Sequence, residues 1–132
     1  MKPVVLDASA LLAMLFGQRG MERVSDFFED AAEADTRLWI GAVNWAEVLY
    51  KLEQKRGKEG LETGRRMEQT LPLGVVAVDR DLSELAARLK SAYGLGLADA
   101  FAAALALSKN ADFVTADTDF KPVRKEINIL WL

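Results

Sequence analysis

Short unbroken apolar runs alternate along this chain with longer stretches in which apolar residues recur at the helical period. Pro3 to Leu6 reads as a short buried strand, and Ala10 to Phe16 as a helix with Ser9 at its N-cap. Met21, Val24, Phe27, Phe28 and Ala31 make 21–34 an amphipathic helix, and Arg37 to Ile40 a second strand. Val43 to Gln54 resumes the helical period, the charged stretch 55–60 is expected to break it, and Leu61 to Thr70 is a further helix ending before Pro72. Val75 to Val78, β-branched and apolar, is a third strand. Asp81 to Tyr93 is helical, Gly94 to Leu97 a turn, and Ala98 to Ser108 a helix built largely from alanine. Phe113 to Thr115 gives a fourth strand and Ile127 to Trp131 a fifth. Repeated βα alternation of this kind predicts a parallel, helix-flanked α/β sheet. In such sheets ligands gather outside the carboxyl ends of the strands, where strand order reverses.

Composition narrows the chemistry. The 132 residues fit one domain spanning 1–132, 51% hydrophobic and 28% charged, as in an ordinary globular protein. No apolar run is long enough to span a bilayer and no cleavable leader is visible, so a cytoplasmic location is expected. The chain has neither cysteine nor histidine. That excludes disulfides, thiol nucleophiles, imidazole bases and the usual zinc sites, and leaves carboxylates, hydroxyls and amines to carry any catalysis. A formal charge of −3 argues against non-specific nucleic-acid binding over the whole surface. Local basic clusters exist at Lys51, Lys55, Arg56, Lys58, Arg65 and Arg66, and at Lys121, Arg124 and Lys125. Solvated surface is the plainer explanation for each of their members.

Four acids stand in otherwise apolar or small-residue segments: Asp7 in VVLDASALLAML, Glu47 in IGAVNWAEVLYKL, Asp99 in LGLADAFAAALAL and Asp117 in DFVTADTDF. Each has an ordinary explanation. Asp7 suits a helix entry, Glu47 pairs at i+4 with Lys51, Asp99 opposes a helix dipole, and Asp117 or Asp119 suits an Asx turn. Together they ask for one cause, because carboxylates rarely enter apolar surroundings unless paired, neutralised or metal-bound. Mg²⁺ and Mn²⁺ take oxygen ligands and need no histidine. A cation held by converging acids activates water and stabilises charge on a phosphate, so acids with basic residues at the rim suggest phosphodiester hydrolysis.

With these segments in their order and spacing, the chain resembles the PIN-domain ribonucleases, and among them the VapC-type toxins of prokaryotic toxin–antitoxin pairs. The resemblance spans essentially the whole chain. It implies a parallel five-stranded sheet between helices, and a metal site of Asp7, Glu47, Asp99 and Asp117 with Asp119 as accessory. Ser9, Asn44 and Thr115 match positions that lie near the site, although helix cap, helix surface and strand-end hydroxyl explain them equally well. The implied activity is Mg²⁺- or Mn²⁺-dependent cleavage of single-stranded RNA. The implied partners are an antitoxin protein that occludes the site and a second copy of the chain in a homodimer. Phe16, Met21, Phe27 and Phe28 offer apolar groups for such contacts, with core packing the plainer role for most.

Two alternatives remain open from sequence. A phosphoacceptor signalling domain would use Asp7, Asp79 and Thr115, but it needs an adjacent acidic pair and a lysine after the last strand, and both are missing. A catalytically silent PIN-like interaction module would keep the fold without turnover.

Overall fold

The computed structural model describes residues 1–132. Five strands, β1 (Val4–Leu6), β2 (Leu38–Gly41), β3 (Leu73–Val76), β4 (Asp112–Thr115) and β5 (Asn128–Trp131), form one sheet in the order β3-β2-β1-β4-β5. Every adjacent pair is parallel. The helices are α1 (Ala8–Leu15), α2 (Met21–Glu33), α3 (Ala42–Thr70), α4 (Arg80–Tyr93) and α5 (Leu97–Ser108), with a 3-10 turn at Thr118–Val123.

Alternation along the strands splits the core between the two faces of the sheet. Val4, Leu6, Leu38, Ile40 and Val114 pack with α1, α2 and α3. Val5 and Phe113 face the other way, against α4, α5 and Phe120. Burial on both faces explains why the strands read as continuous apolar runs. Alanine dominates α5 because Ala100, Ala102, Ala103, Ala104 and Ala106 are all buried. Small side chains let this helix lie close to the sheet, and that brings its first turn to the strand ends.

The chain builds β1, β2 and β3 outward in one direction, then returns through α4 and α5 to lay β4 on the other side of β1. Strand order therefore reverses between β1 and β4. The crevice beyond their carboxyl ends is where an open parallel sheet binds ligands.

Three local expectations shift. Helix α1 starts earlier than expected because Asp7, not Ser9, is its cap: the Asp7 carboxylate accepts from the Ala10 N–H at 3.0 Å. Strand β3 is Leu73–Val76 rather than 75–78, since its partner β2 turns into α3 directly after Gly41, opposite Val76. The charged stretch 55–60 interrupts α3 only at Gly57, whose φ of 65° is open to glycine at little cost. Beyond that bend the chain folds back, and a Cβ at Gly60 would overlap the Leu52 carbonyl.

Candidate metal centre

Strand β1 delivers Asp7 to the switch point, where it is 4% exposed. Its carboxylate is held from three sides. The Ala10 N–H donates to Oδ1, the Thr115 hydroxyl donates to Oδ2 at 2.8 Å, and the Ser9 hydroxyl donates at 2.8 Å to Oδ1. Ser9 Oγ also accepts from the Ala116 N–H at 3.0 Å, and Thr115 Oγ1 accepts from the Asp117 N–H at 3.0 Å. The two hydroxyls thus tie the end of β1 to the loop after β4.

Asp99 stands in the first turn of α5. Asp117 caps the 3-10 turn, its carboxylate accepting from the Asp119 N–H at 2.9 Å. These elements bring one carboxylate oxygen each from Asp99, Asp117 and Asp119 within 4.8 Å of one another. Asp7 and Glu47 lie outside this tight group but within reach of its field. Asp99 is pushed up to about 6, first by burial and then by the charges of Asp117, Glu47 and Asp119, with Lys51 opposing. Burial likewise pushes Asp7 up to about 6, against its hydrogen bonds from Ala10, Ser9 and Thr115, and the Asp99 charge adds to the rise.

Glu47 is half-buried on α3 and paired at i+4 with Lys51, 2.9 Å away. That ion pair holds the lysine above its ordinary range. One turn earlier on the same helix, Asn44 is buried and donates through Nδ2 to the Ala98 carbonyl at 3.1 Å, fixing α3 against the start of α5. Its Oδ1 is buried without a partner.

The five acids expected at the metal site, Asp7, Glu47, Asp99, Asp117 and Asp119, therefore lie in or beside one electrostatic centre, and Asp119 stands inside the tight group. Lys51, grouped from sequence with a surface cluster, is the cation whose charge reaches Asp99. Its i+4 spacing from Glu47 was the available signal. Asp79, the acceptor required by the signalling-domain alternative, instead caps α4 through the Leu82 N–H, beyond β3 at the sheet edge. Phe28 is buried in the core, Phe16 and Phe27 pack partly against it, and Met21 is exposed.

The donor set fits a hard divalent cation: three carboxylates can each supply one oxygen, leaving other positions to water. The raised carboxyl groups fit the same picture: burial lifts both first, neighbouring acids add to the rise, and one ammonium is the only side-chain cation that opposes it at Asp99.

The model of the PIN domain family matches residues 4–126, and the chain belongs to that family. Comparison with curated proteins finds no match. Among solved structures, the chain is similar to VapBC2 from Rickettsia felis bound to a promoter DNA fragment, with a TM-score of 0.75 at 16% identity over 96% of each chain. It is also similar to a toxin–antitoxin complex from Klebsiella pneumoniae, with a TM-score of 0.73 at 19% identity over 96% of this chain and 95% of that one. A third similar structure is VapC20 from Mycobacterium tuberculosis, a sarcin–ricin loop cleaving toxin, with a TM-score of 0.72 at 15% identity over 91% and 94%. At these identities the likeness is one of fold.

Proposed function

We propose that this chain is a divalent-cation-dependent endoribonuclease that hydrolyses phosphodiester bonds of single-stranded RNA, as the toxin of a type II toxin–antitoxin pair. The convergence of Asp99, Asp117 and Asp119 at the strand-order switch of a PIN domain carries this reading. Asp99, Asp117 and Asp119 would hold Mg²⁺ or Mn²⁺, with Asp7 and Glu47 completing the acidic set. The bound cation supplies Lewis-acid stabilisation of the phosphate and a more acidic water.

The chain's own residues prepare that chemistry. Ser9 and Thr115 fix the Asp7 carboxylate in one orientation. Asn44 fixes the start of α5, and with it the height of Asp99 above the sheet. Lys51 restrains Glu47 and offsets part of the negative field that would repel a polyphosphate.

The toxin–antitoxin complexes among the similar structures support a cognate antitoxin as partner. A homodimer and a cytoplasmic location belong to the same reading. No single helix is long and apolar enough to cross a membrane.

The test is cleavage of single-stranded RNA by the purified protein with Mg²⁺, with Mn²⁺ and with chelator, alongside Asp99→Asn. Metal-dependent cutting that the variant lacks supports the proposal. A wild-type protein that binds Mn²⁺ without cutting, or a variant that cuts at full rate, contradicts it and favours the silent interaction module.

A further inference from the structure

Next to the acidic group lies a cavity of about 380 Å³ that shares Asp99 and Asp119 with it. Its remaining walls include Tyr93, the turn from Gly94 to Gly96, and Pro122. The volume falls at the small end of the range for ligand pockets, roughly 300–1,000 Å³, suited to one heterocycle rather than a length of polymer.

Three observations define what it can take. The first is a fixed aromatic wall. Tyr93 packs against the buried cluster of α4 and α5, Glu126 raises the pKa of its phenol, and Arg88 holds Glu126 through two contacts of 2.9 and 3.2 Å. The ring therefore stands in place before any ligand arrives. The second is a pair of free donors. Gly94 N–H caps α4 through the Lys90 carbonyl, and the Leu95 and Gly96 carbonyls accept from Lys90 Nζ and Ala100 N–H, but the Leu95 and Gly96 N–H groups donate to nothing in the chain. The third is the sign of the charge. The ionisable lining is Asp99, Asp119 and the phenol, with no lysine or arginine, so apart from a cation on the acids nothing in its walls holds a phosphate.

An occupant should be flat, uncharged and equipped with acceptors for two N–H groups. A guanidinium or ammonium group offers these N–H groups no acceptor, and the carboxylates that would attract it are the ones assigned to the metal. A nucleobase meets all three conditions, and unpaired RNA bases commonly stack on aromatic side chains. We propose that this cavity seats one unpaired nucleobase next to the phosphate handled by the acids, with Tyr93 as its stacking surface. The proposal rests on the ribonuclease reading above, and it makes the Tyr93 pocket a determinant of which RNA sequence is cut.

The pocket is testable without turnover. Backbone amide NMR spectra of the intact protein are recorded during titration with adenosine, guanosine, cytidine and uridine. The expected result is a shift of the Leu95 and Gly96 amides with at least one nucleoside, kept in Tyr93→Phe and weakened between about five- and a hundred-fold in Tyr93→Ala. The same spectra report whether each variant is folded, and Tyr93→Leu serves as a second ring deletion. Amides at 95 and 96 that ignore all four nucleosides, or an affinity that survives ring removal, would overturn the proposal. In parallel, RNA cut-site sequencing should show preference at one flanking position lost in Tyr93→Ala. A protein that binds nucleosides here yet cuts no RNA contradicts the ribonuclease reading and leaves the base seat standing.

Discussion

Asp7 and the Asp99–Asp117–Asp119 group sit at the same switch point, yet they meet the cost of negative charge in different ways. Asp7 is buried and surrounded by donors: one amide and two hydroxyls. Asp99 is only half-buried, and its main neighbours are other acids. Both carboxyl groups end up raised to about 6. Hydrogen bonds therefore do not fully offset burial at Asp7, and at Asp99 the repulsion of neighbouring acids adds to a burial that leads there too. What the two places share is a carboxyl group raised first by burial, with too little positive charge nearby to offset it, and a divalent cation would supply that charge.

The largest effect expected from this contrast is on turnover. Asp99→Asn removes a proposed direct ligand and should lower RNA cleavage by more than the about 10–100-fold typical of partners behind a ligand, with fold retained by circular dichroism. Asp7→Asn separates activity from stability. The folded-state pKa of Asp7 lies above its ordinary 3.8, so folding favours the protonated form. Its stability contribution is present below about pH 4 and is lost as pH rises through about 6. Asparagine keeps an oxygen for the Ala10 N–H and can donate to Thr115 Oγ1 without the charge. Urea unfolding at pH 8 should show the metal-free variant more stable by on the order of 3 kcal/mol, with the gain shrinking towards pH 4. Cleavage should fall at the same time. A variant less stable than wild type at pH 8 would break the contrast.

Smaller effects sharpen it. Mn²⁺ at a hundred times its Kd should stabilise the wild type by about 3 kcal/mol at pH 8, and by less at pH 5, where Asp7 and Asp99 hold protons. Lys51→Gln should tighten Mn²⁺ binding several-fold in calorimetry, because it removes the cation that opposes the charge on Asp99. An unchanged isotherm would make Lys51 a partner of Glu47 alone. The basic cluster comes last. Lys55 and Arg56 lie over the Phe16 ring, whereas Arg65 is paired with Glu62. If Lys55 and Arg56 meet RNA phosphate, neutralising each should lower the salt slope of RNA binding by about one, while neutralising Arg65 should change it less.

Alternation and period made the five strands and the helix-flanked sheet legible, because both faces of the sheet are buried and apolar runs have few other uses. Boundaries were less so. The end of β3 depends on where β2 turns into α3, which no pattern within 73–78 records. At Asp7–Ser9, both side chains are competent caps, and only the position of Thr115 shows why serine turns to the carboxylate and aspartate takes the amide. The acids were readable as misplaced charges. Their common site was read from the sequence, but which of them form its tight group was not, because the separation of Asp99 from Asp117 and Asp119 depends on how closely the alanine face of α5 approaches the sheet. The Tyr93 cavity left no trace in the pattern, since its donors are backbone groups of a glycine turn.

A calorimetric titration of Mn²⁺ into wild type and Asp99→Asn at pH 7.5 tests the central claim most directly. The account predicts saturable binding by the wild type that is lost or weakened at least about tenfold in the variant. Superimposable isotherms, or no binding by the wild type, would contradict a cation site built on Asp99.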